Sequence, residues 1–174
     1  GALFTWGRHE INMGIGELED PNDNMIDKIT RVGNSNKWVN ISSRRARNTF
    51  GTQKDGSLWF WGQDANKMID TVSKNYYSPI KVGDYECLDV RTNDIGTFFS
   101  DTSGTVFSFL SNKIPPNRIL SGSKNVKIID TDDICFAFQF DDYCLFYGNN
   151  SGLRFGKHYT EKYYNYPIYN EPFQ

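Results

Sequence analysis

The stretch Lys54-Asp55-Gly56-Ser57-Leu58-Trp59-Phe60-Trp61-Gly62 joins a turn signal to an alternating apolar strand that ends in an aromatic residue and a glycine. Asp-Gly between two apolar runs is a strong hairpin signal, and the expected two-residue turn needs positive φ at both central positions. The stretch therefore predicts a β-hairpin whose second strand runs from Gly56 to Gly62.

Looser copies of this stretch occur elsewhere in the chain. In all four stretches, the opening one included, an aromatic residue follows the turn residue by five positions, and in three of the four a glycine comes next. The turn residues are Gly1, Gly56, Gly104 and Asp142; the aromatic residues are Trp6, Trp61, Phe109 and Tyr147; the following glycines are Gly7, Gly62 and Gly148. A constant internal offset of this kind indicates a repeat protein.

The repeats shorten along the chain and span approximately residues 1–55, 56–103, 104–141 and, in part, 142–174. Units of about 40 to 55 residues that each supply about four short strands are typical of propeller blades. Apolar residues alternate by two, whereas helical repeats would place them three and four apart. The sequence predicts an all-β fold in a single repeat domain covering residues 1–174. This domain would be a partial β-propeller of about three to four four-stranded antiparallel blades.

The composition excludes several classes of protein. The 174 residues carry a net charge of −2 with a pI near 5.7, so no general affinity for nucleic acid or anionic membranes is expected. No apolar run approaches the roughly 20 residues that span a bilayer, and no signal peptide is visible. The compartment stays unknown, and an intracellular or virion-associated location is the preferred interpretation.

Two segments resemble a known repeat. Tyr147-Gly148-Asn149-Asn150-Ser151-Gly152-Leu153-Arg154-Phe155-Gly156 is similar to the aromatic-Gly-x-Asn loop of the regulator-of-chromosome-condensation repeat, and Asn48–Gly56 is similar to its His-Thr strand that closes on Asp-Gly. The resemblance covers nearly the whole chain and implies a β-propeller. The chain departs from the family pattern where Asn48, Gly96 and Ile134 replace the histidine and where Asp142 replaces the turn glycine.

The resemblance also sets expectations about assembly. Propellers of this family resemble closed rings of about seven blades, more than this chain supplies. We therefore expect either a piece of a larger chain or a half-ring that a partner closes. The expected partner is another protein or the remaining blades of the propeller.

The preferred function is that of a non-enzymatic binding or scaffold module that mediates protein–protein interaction in a larger assembly. A structural or host-recognition component of a virus or phage is one form of this hypothesis. The alternative, by family analogy, is a guanine-nucleotide exchange factor for a small GTPase. Fold alone does not decide between such functions.

No catalytic constellation, cofactor motif or metal site is predicted from the residues. His9 and His158 both fall in loops after an aromatic-glycine pair, and we interpret them as solvated. An acidic cluster lacks the spacing of a calcium-binding loop, so we interpret it as solvated turns; it comprises Asp130, Asp132, Asp133, Asp141 and Asp142.

Two groups of residues are candidates for binding. Arg44, Arg45 and Arg47 form a basic cluster in a polar link, Ser42–Arg47, between two strands, where guanidinium groups could hold carboxylate or phosphate. Rings in the C-terminal tail could bury area against a protein or sugar; these are Tyr163, Tyr164 and Tyr166. The alternatives are a solvated turn for the arginines and packing between blades for the tyrosines.

Cysteines form neither a metal-ligand pattern nor an even framework, because there are three: Cys87, Cys135 and Cys144. Cys135 and Cys144 flank one predicted hairpin and could face each other. Buried thiols are the default interpretation, and a disulfide between Cys135 and Cys144 is the alternative.

Overall fold

The computed structural model describes residues 1–8, 11–17, 25–44, 47–65, 67–93, 96–109, 116–120, 126–132, 135–141, 143–149 and 163–170, with side-chain surroundings except at 44, 130–132 and 163–170. These residues form fourteen strands and one short 3-10 helix, Ile11–Met13. The strands are β1 Phe4–Arg8, β2 Met25–Arg31, β3 Trp38–Arg44, β4 Asn48–Gln53, β5 Leu58–Gln63, β6 Asn75–Lys81, β7 Cys87–Asn93, β8 Gly96–Asp101, β9 Val106–Phe109, β10 Asn117–Leu120, β11 Lys127–Asp132, β12 Cys135–Gln139, β13 Cys144–Asn149 and β14 Tyr163–Asn170.

The strands form four antiparallel sheets. Sheet 1 contains β1 and β2, sheet 2 contains β3 to β6, sheet 3 contains β7 to β10 and sheet 4 contains β11 to β14, each in sequential order. The prediction of an all-β partial propeller with three to four blades is confirmed. No helix in the described ranges is long and apolar enough to cross a membrane.

Sheets and sequence repeats are offset by two strands. The Asp55-Gly56 turn joins β4 to β5, which are the two central strands of sheet 2. The Gly104 turn likewise joins the central strands β8 and β9 of sheet 3. A predicted repeat therefore supplies the last two strands of one sheet and the first two strands of the next, so hydrogen bonds tie consecutive repeats together.

The geometry of the deciding turn differs from the prediction. Gln53 N donates to Ser57 O at 3.1 Å and Gly56 N donates to Gln53 O at 2.9 Å, which closes a three-residue loop. Only Gly56 has positive φ in this loop, at 77°. The prediction of positive φ at both central positions was wrong, because a type I turn followed by one left-handed residue needs a single glycine.

The aromatic-glycine pair has a structural role in three sheets. Trp6, Trp61 and Tyr147 each lie opposite three residues of the outer strand, where the register shifts. The glycines that follow have φ of 104°, 106° and 114°. In sheets 2 and 4 the bulged outer segment contains Pro79 and Pro167, residues that outer strands and bulges tolerate because no ladder donor is needed there.

Two apolar clusters hold the sheets together. One joins sheets 2 and 3 and includes Phe50, Phe60 and Phe99, each with no exposed surface. The other joins sheets 3 and 4 around Phe98 and Phe136. The first strands of neighbouring sheets, which we call the inner strands, also contact each other. β3 of sheet 2 contacts β7 of sheet 3, and β7 contacts β11 of sheet 4. Sheets 2, 3 and 4 thus pack face to face in chain order.

The register of sheet 4 separates the two cysteines that could have been bridged. Cys135 lies opposite Gly148 and Cys144 lies opposite Gln139, so the cysteines occupy opposite ends of the β12–β13 pair. Four residues of strand correspond to about 13 Å, beyond the reach of a disulfide. The disulfide alternative was wrong, and none of the three cysteines is disulfide-bonded.

Candidate interaction surfaces

Arg44 and Arg47 of the predicted basic cluster lie at the far end of sheet 2 from the Asp55-Gly56 turn. Arg44 ends β3, so the prediction of a link from Ser42 onward was wrong for Ser42–Arg44, which continue the strand opposite β4. Arg47 adopts a φ of 58°, and its carbonyl oxygen accepts a hydrogen bond from Gln63 N at 2.9 Å. Arg45 lies outside the described residues.

The predicted tyrosines belong to a different sheet. Tyr163, Tyr164 and Tyr166 lie in β14, the outer strand of sheet 4, which pairs with β13. Sheet 3 lies between that strand and the arginines of sheet 2. The two predicted groups therefore do not form one joint site, and each stays a separate prediction.

Other sequence candidates are not tested by the structure. His9, His158, Asp133 and Asp142 lie outside the described residues. Within the described part of the chain, no group of three or more histidine, cysteine, aspartate or glutamate side chains could hold a metal ion.

Sheet 1 reproduces the outer half of sheet 2. Phe4 pairs with Arg31 and Gly7 with Ile26, in the same register and with the same bulge as Trp59 with Lys81 and Gly62 with Tyr76. The link to the following sheet is also the same. Trp38 N donates to Gly1 O at 3.0 Å, as Cys87 N donates to Gly56 O at 2.7 Å. β1 and β2 therefore correspond to β5 and β6.

Equivalent tryptophans in these two sheets differ in burial. Trp61 in β5 is 2% exposed, whereas Trp6 in β1 is 66% exposed. The indole of Trp61 donates to Asn12 O at 2.7 Å and packs edge-on against Trp38, with 5.6 Å between ring centroids. Asn12 belongs to the preceding repeat, and the described residues supply no such segment over Trp6.

Exposed apolar side chains surround Trp6. Phe4 is 47%, Met25 51% and Ile29 71% exposed. Phe4, Trp6 and Arg8 occupy alternate positions of β1. Met25 of β2 pairs with Arg8. Ile29 lies two residues before Arg31, and Arg31 pairs with Phe4. These side chains share one side of sheet 1. We call Phe4, Trp6, Met25 and Ile29 the open face.

The edge of β1 that faces away from β2 is also open. In sheet 2 the corresponding edge of β5 pairs with β4 from Asn48↔Gly62 to Thr52↔Leu58. A Cβ on Gly62 would lie 2.3 Å from Arg47 O of this neighbouring backbone, whereas a Cβ on Gly7 would meet nothing within 4 Å. No described strand pairs with this edge of β1, which we call the open edge.

A polar cluster crosses from sheet 2 to sheet 3 at the inner strands. The Asp89 carboxylate accepts hydrogen bonds from Asn40 Nδ2 and, at 2.9 Å, from Val90 N. Arg91 Nη1 lies 3.1 Å from the same oxygen. Burial raises the pKa of the Asp89 carboxyl, and the nearby Arg91 and Lys127 offset only part of this effect. The ionised carboxylate is therefore costly in this position.

The raised pKa predicts a pH-dependent effect of Asp89→Asn. The folded state binds a proton more tightly than the unfolded state, so the stability of the natural protein falls as pH rises from about 4 through the pKa of folded Asp89. The variant lacks this loss. We expect the stability of Asp89→Asn relative to the natural protein to increase between about pH 4 and pH 7 in urea unfolding curves.

A control with the opposite sign is available at Asp84. The hydrogen bond from Lys81, at 2.9 Å, lowers the pKa of the Asp84 carboxyl. Asp84→Asn should therefore lose relative stability as pH rises toward about 4, a more acidic range than that of Asp89→Asn, and by a small amount because the side chain is exposed. A relative stability of Asp89→Asn that stayed constant with pH would contradict the prediction.

Sequence reasoning identified the repeat positions but not which residues form the open face. Trp6 was recognised only as a member of the repeat pattern, and Phe4, Met25 and Ile29 were not singled out. Their exposure depends on what covers sheet 1. One signal in the sequence could have indicated this exposure. Gly1 corresponds to the turn glycine Gly56, which makes β1 the second strand of a hairpin whose first strand is not among the described residues.

Comparison with known proteins supports the fold. No family model matches the sequence, and no curated protein matches it. A crystal structure of human WBSCR16 superposes with a TM-score of 0.74 at 16% identity, covering 97% of this chain and 48% of that chain. The structure of Kap60 bound to yeast RCC1 (Prp20) gives a TM-score of 0.74 at 14% identity, with coverages of 95% and 45%.

A further structure, Prp20p from Saccharomyces cerevisiae, was described with its binding properties to Gsp1p and histones. It gives a TM-score of 0.63 at 14% identity and covers 84% of this chain and 41% of that chain. The present chain thus spans about half the length of the structures that it matches. Its fold is that of a divergent RCC1-like repeat propeller.

Proposed function

We propose that this chain is a non-enzymatic β-propeller module for protein–protein interaction and that its partner binds sheet 1. The observation that carries the proposal is the exposure of Trp6 at 66% where its equivalent, Trp61, is 2% exposed. The two residues share strand position, register and following glycine. They differ in what lies against them.

The open face favours binding on energetic grounds. Burying one large apolar side chain contributes about 1.5 to 3 kcal/mol, and four such side chains stand together on sheet 1. Contiguous apolar surface of this kind marks interaction sites on soluble proteins. Aromatic anchors such as Trp6 supply much of the affinity in protein interfaces.

The open edge specifies the chemistry of the partner. In sheet 2 the same edge accepts β4, an antiparallel strand from the preceding repeat. The partner would therefore add an extended strand to β1 through backbone hydrogen bonds and cover Trp6 with a neighbouring segment. Either further propeller blades or a separate protein can supply such a strand.

An N-terminal extension tests the proposal directly. A second copy of residues 36–55 joined ahead of Gly1 would place a β4-type strand before β1, as Asp55 precedes Gly56. In sheet 2 the hydrogen bond from Gln53 N to Ser57 O fixes which amides of β5 point toward β4, and these include the amides of Trp59 and Trp61. Phe4 and Trp6 correspond to these residues, so their amides would donate to the new strand. We expect exchange of the Phe4 and Trp6 amides to slow at least about tenfold.

Two matched controls accompany this experiment. An extension in which the copies of Thr49 and Phe50 are proline lacks two backbone N–H groups that a central strand needs, so it should not form the added strand and should leave exchange unchanged. Gly7→Ala in the extended protein should abolish the protection, because its Cβ would then meet a backbone as one on Gly62 would. Unprotected amides in the unmodified extension would contradict the proposal.

The exchange-factor alternative needs a separate assay. The similarity to Prp20p concerns a protein whose reported binding includes Gsp1p, and the present chain covers 41% of it. Nucleotide release from candidate small GTPases separates the alternatives. Acceleration by catalytic amounts of this chain would replace the proposed function with guanine-nucleotide exchange. A structural or host-recognition role in a virus or phage remains a hypothesis that no described feature favours.

A further inference from the structure

A cavity of about 410 Å³ opens beside the Asp55-Gly56 turn, between sheet 2 and the turn that precedes β7. Two aromatic rings and four charged side chains line it: Trp59, Tyr85, Asp55, Lys81, Asp84 and Glu86. It lies at the end of sheet 2 opposite Arg47 and does not include any residue of the open face. The sequence pattern does not predict this cavity, because its residues come from the β4–β5 turn, β5, β6 and the turn before β7.

The aromatic rings are held in place by their neighbours. Trp59 Nε1 donates to Ser57 Oγ at 2.8 Å, and the ring packs edge-on against Trp38, with centroids 5.9 Å apart. The ring of Tyr85 packs edge-on against Phe99, with centroids 4.9 Å apart. Both rings are half-buried. A ligand therefore meets aromatic surfaces that need little further ordering.

Charge in the cavity favours a cation. Three carboxylates face one ammonium group there, and Lys81 is already paired with Asp84 at 2.9 Å. The carboxylate of Asp55 is 4.0 Å from Lys37, an exposed pair of little energetic weight. Hydrogen bonds from Ser57 lower the pKa of the Asp55 carboxyl, which keeps it ionised at neutral pH.

A second cavity of about 330 Å³ adjoins the first and shares Asp55 and Glu86 with it. Val39, 61% exposed, and Leu88, 50% exposed, give it an aliphatic surface. Thr52 also lines it, and within the described structure the buried Thr52 Oγ1 has no hydrogen-bond partner. The backbone of an extended segment lying along this cavity is a source of the polar partner that this buried hydroxyl lacks, and the aliphatic surface fits a side chain of that segment.

We propose that the larger cavity binds the guanidinium group of an arginine in an extended peptide segment of the partner, with a neighbouring aliphatic residue in the smaller cavity. A guanidinium fits because it stacks on aromatic rings and pairs with carboxylates through its planar set of donors. This inference rests on the proposed function as an interaction module but uses a surface separate from sheet 1.

The test uses the acetylated and amidated tripeptide Leu-Arg-Leu and the indole N–H signal of Trp59 in nitrogen-15 NMR spectra. We expect a saturable shift of that signal. The same peptide with citrulline in place of arginine is neutral and nearly equal in shape, and it should bind at least about tenfold more weakly. Equal shifts with both peptides, or none with either, would overturn the inference.

Variants locate the binding. The double variant Glu86→Gln and Asp84→Asn should bind the arginine peptide at least about tenfold more weakly, because the cavity then retains one carboxylate. Asp27→Asn, an exposed carboxylate on β2, should leave binding unchanged. Trp6→Ser separates this site from the proposed function: it should not alter peptide binding. Loss of peptide binding in Trp6→Ser, with retention in the Glu86→Gln and Asp84→Asn variant, would place the peptide on sheet 1 and refute the cavity.

Discussion

Gly62→Ala is expected to destabilise the chain by about 3 kcal/mol or more in urea unfolding. Gly62 has a φ of 106°, a conformation that favours glycine, and an added Cβ would lie 2.3 Å from Arg47 O and 2.7 Å from Asn48 Cα. Both atoms belong to the backbone of the adjacent strand end, so no side-chain rotation relieves the contact. Such a cost is a large part of the total stability of a small domain.

Gly7→Ala is the matched control. Gly7 has a φ of 104° and the same place beside the bulge, but nothing lies within 4 Å of an added Cβ. We expect only the backbone strain of about 1 kcal/mol. If Gly62→Ala does not unfold the chain, the difference between the two should be at least about 2 kcal/mol. Equal losses would show that strain alone, without the contact to β4, sets the cost.

Phe98→Ala is expected to cost about 3 to 5 kcal/mol. Phe98, in β8, has no exposed surface and packs against Phe136 at 4.3 Å, Phe138 at 5.4 Å and Tyr147 at 5.2 Å between ring centroids. One side chain of sheet 3 thus contacts three rings of sheet 4. Its removal leaves a cavity at the boundary between the two sheets.

The measurement for Phe98→Ala combines unfolding curves with hydrogen exchange. Amides of β12 should lose protection first, because that strand contributes two of the three rings. Leu88→Ala, on an exposed position of sheet 3, should change stability by less than about 0.5 kcal/mol. Unchanged β12 protection in Phe98→Ala would mean that sheet 4 is held by other contacts.

Much of the fold could be predicted because its information is local. Turn residues followed at constant offset by an aromatic residue and glycine mark strands, and their recurrence indicates blades. Within those strands, the positive φ of Gly7, Gly62 and Gly148 follows from the bulge that each aromatic residue faces. The turn type was the local exception, because loop length decides it and two hydrogen bonds set that length.

The candidate surfaces were harder to predict from the sequence than the fold was. The arginines and tyrosines were chosen by composition, and the structure assigns Arg44 to sheet 2 and the tyrosines to sheet 4 without joining them. The cavity beside Asp55 combines side chains of β5 and β6 with others from the turn before β7. Its charge and shape depend on how the turn before β7 lies against sheet 2, which the repeat offset does not predict.

By itself the sequence determined that this chain is a β-propeller repeat protein, because strand alternation, turns and the aromatic-glycine pair are properties of neighbouring residues. Only the tertiary structure decided that the Asp55-Gly56 turn lies in the middle of a sheet and that Trp6 is exposed where Trp61 is buried. The physical reason is that burial depends on which segments pack against a strand. Trp6 and Trp61 occupy the same repeat position, and only their neighbours in space distinguish them.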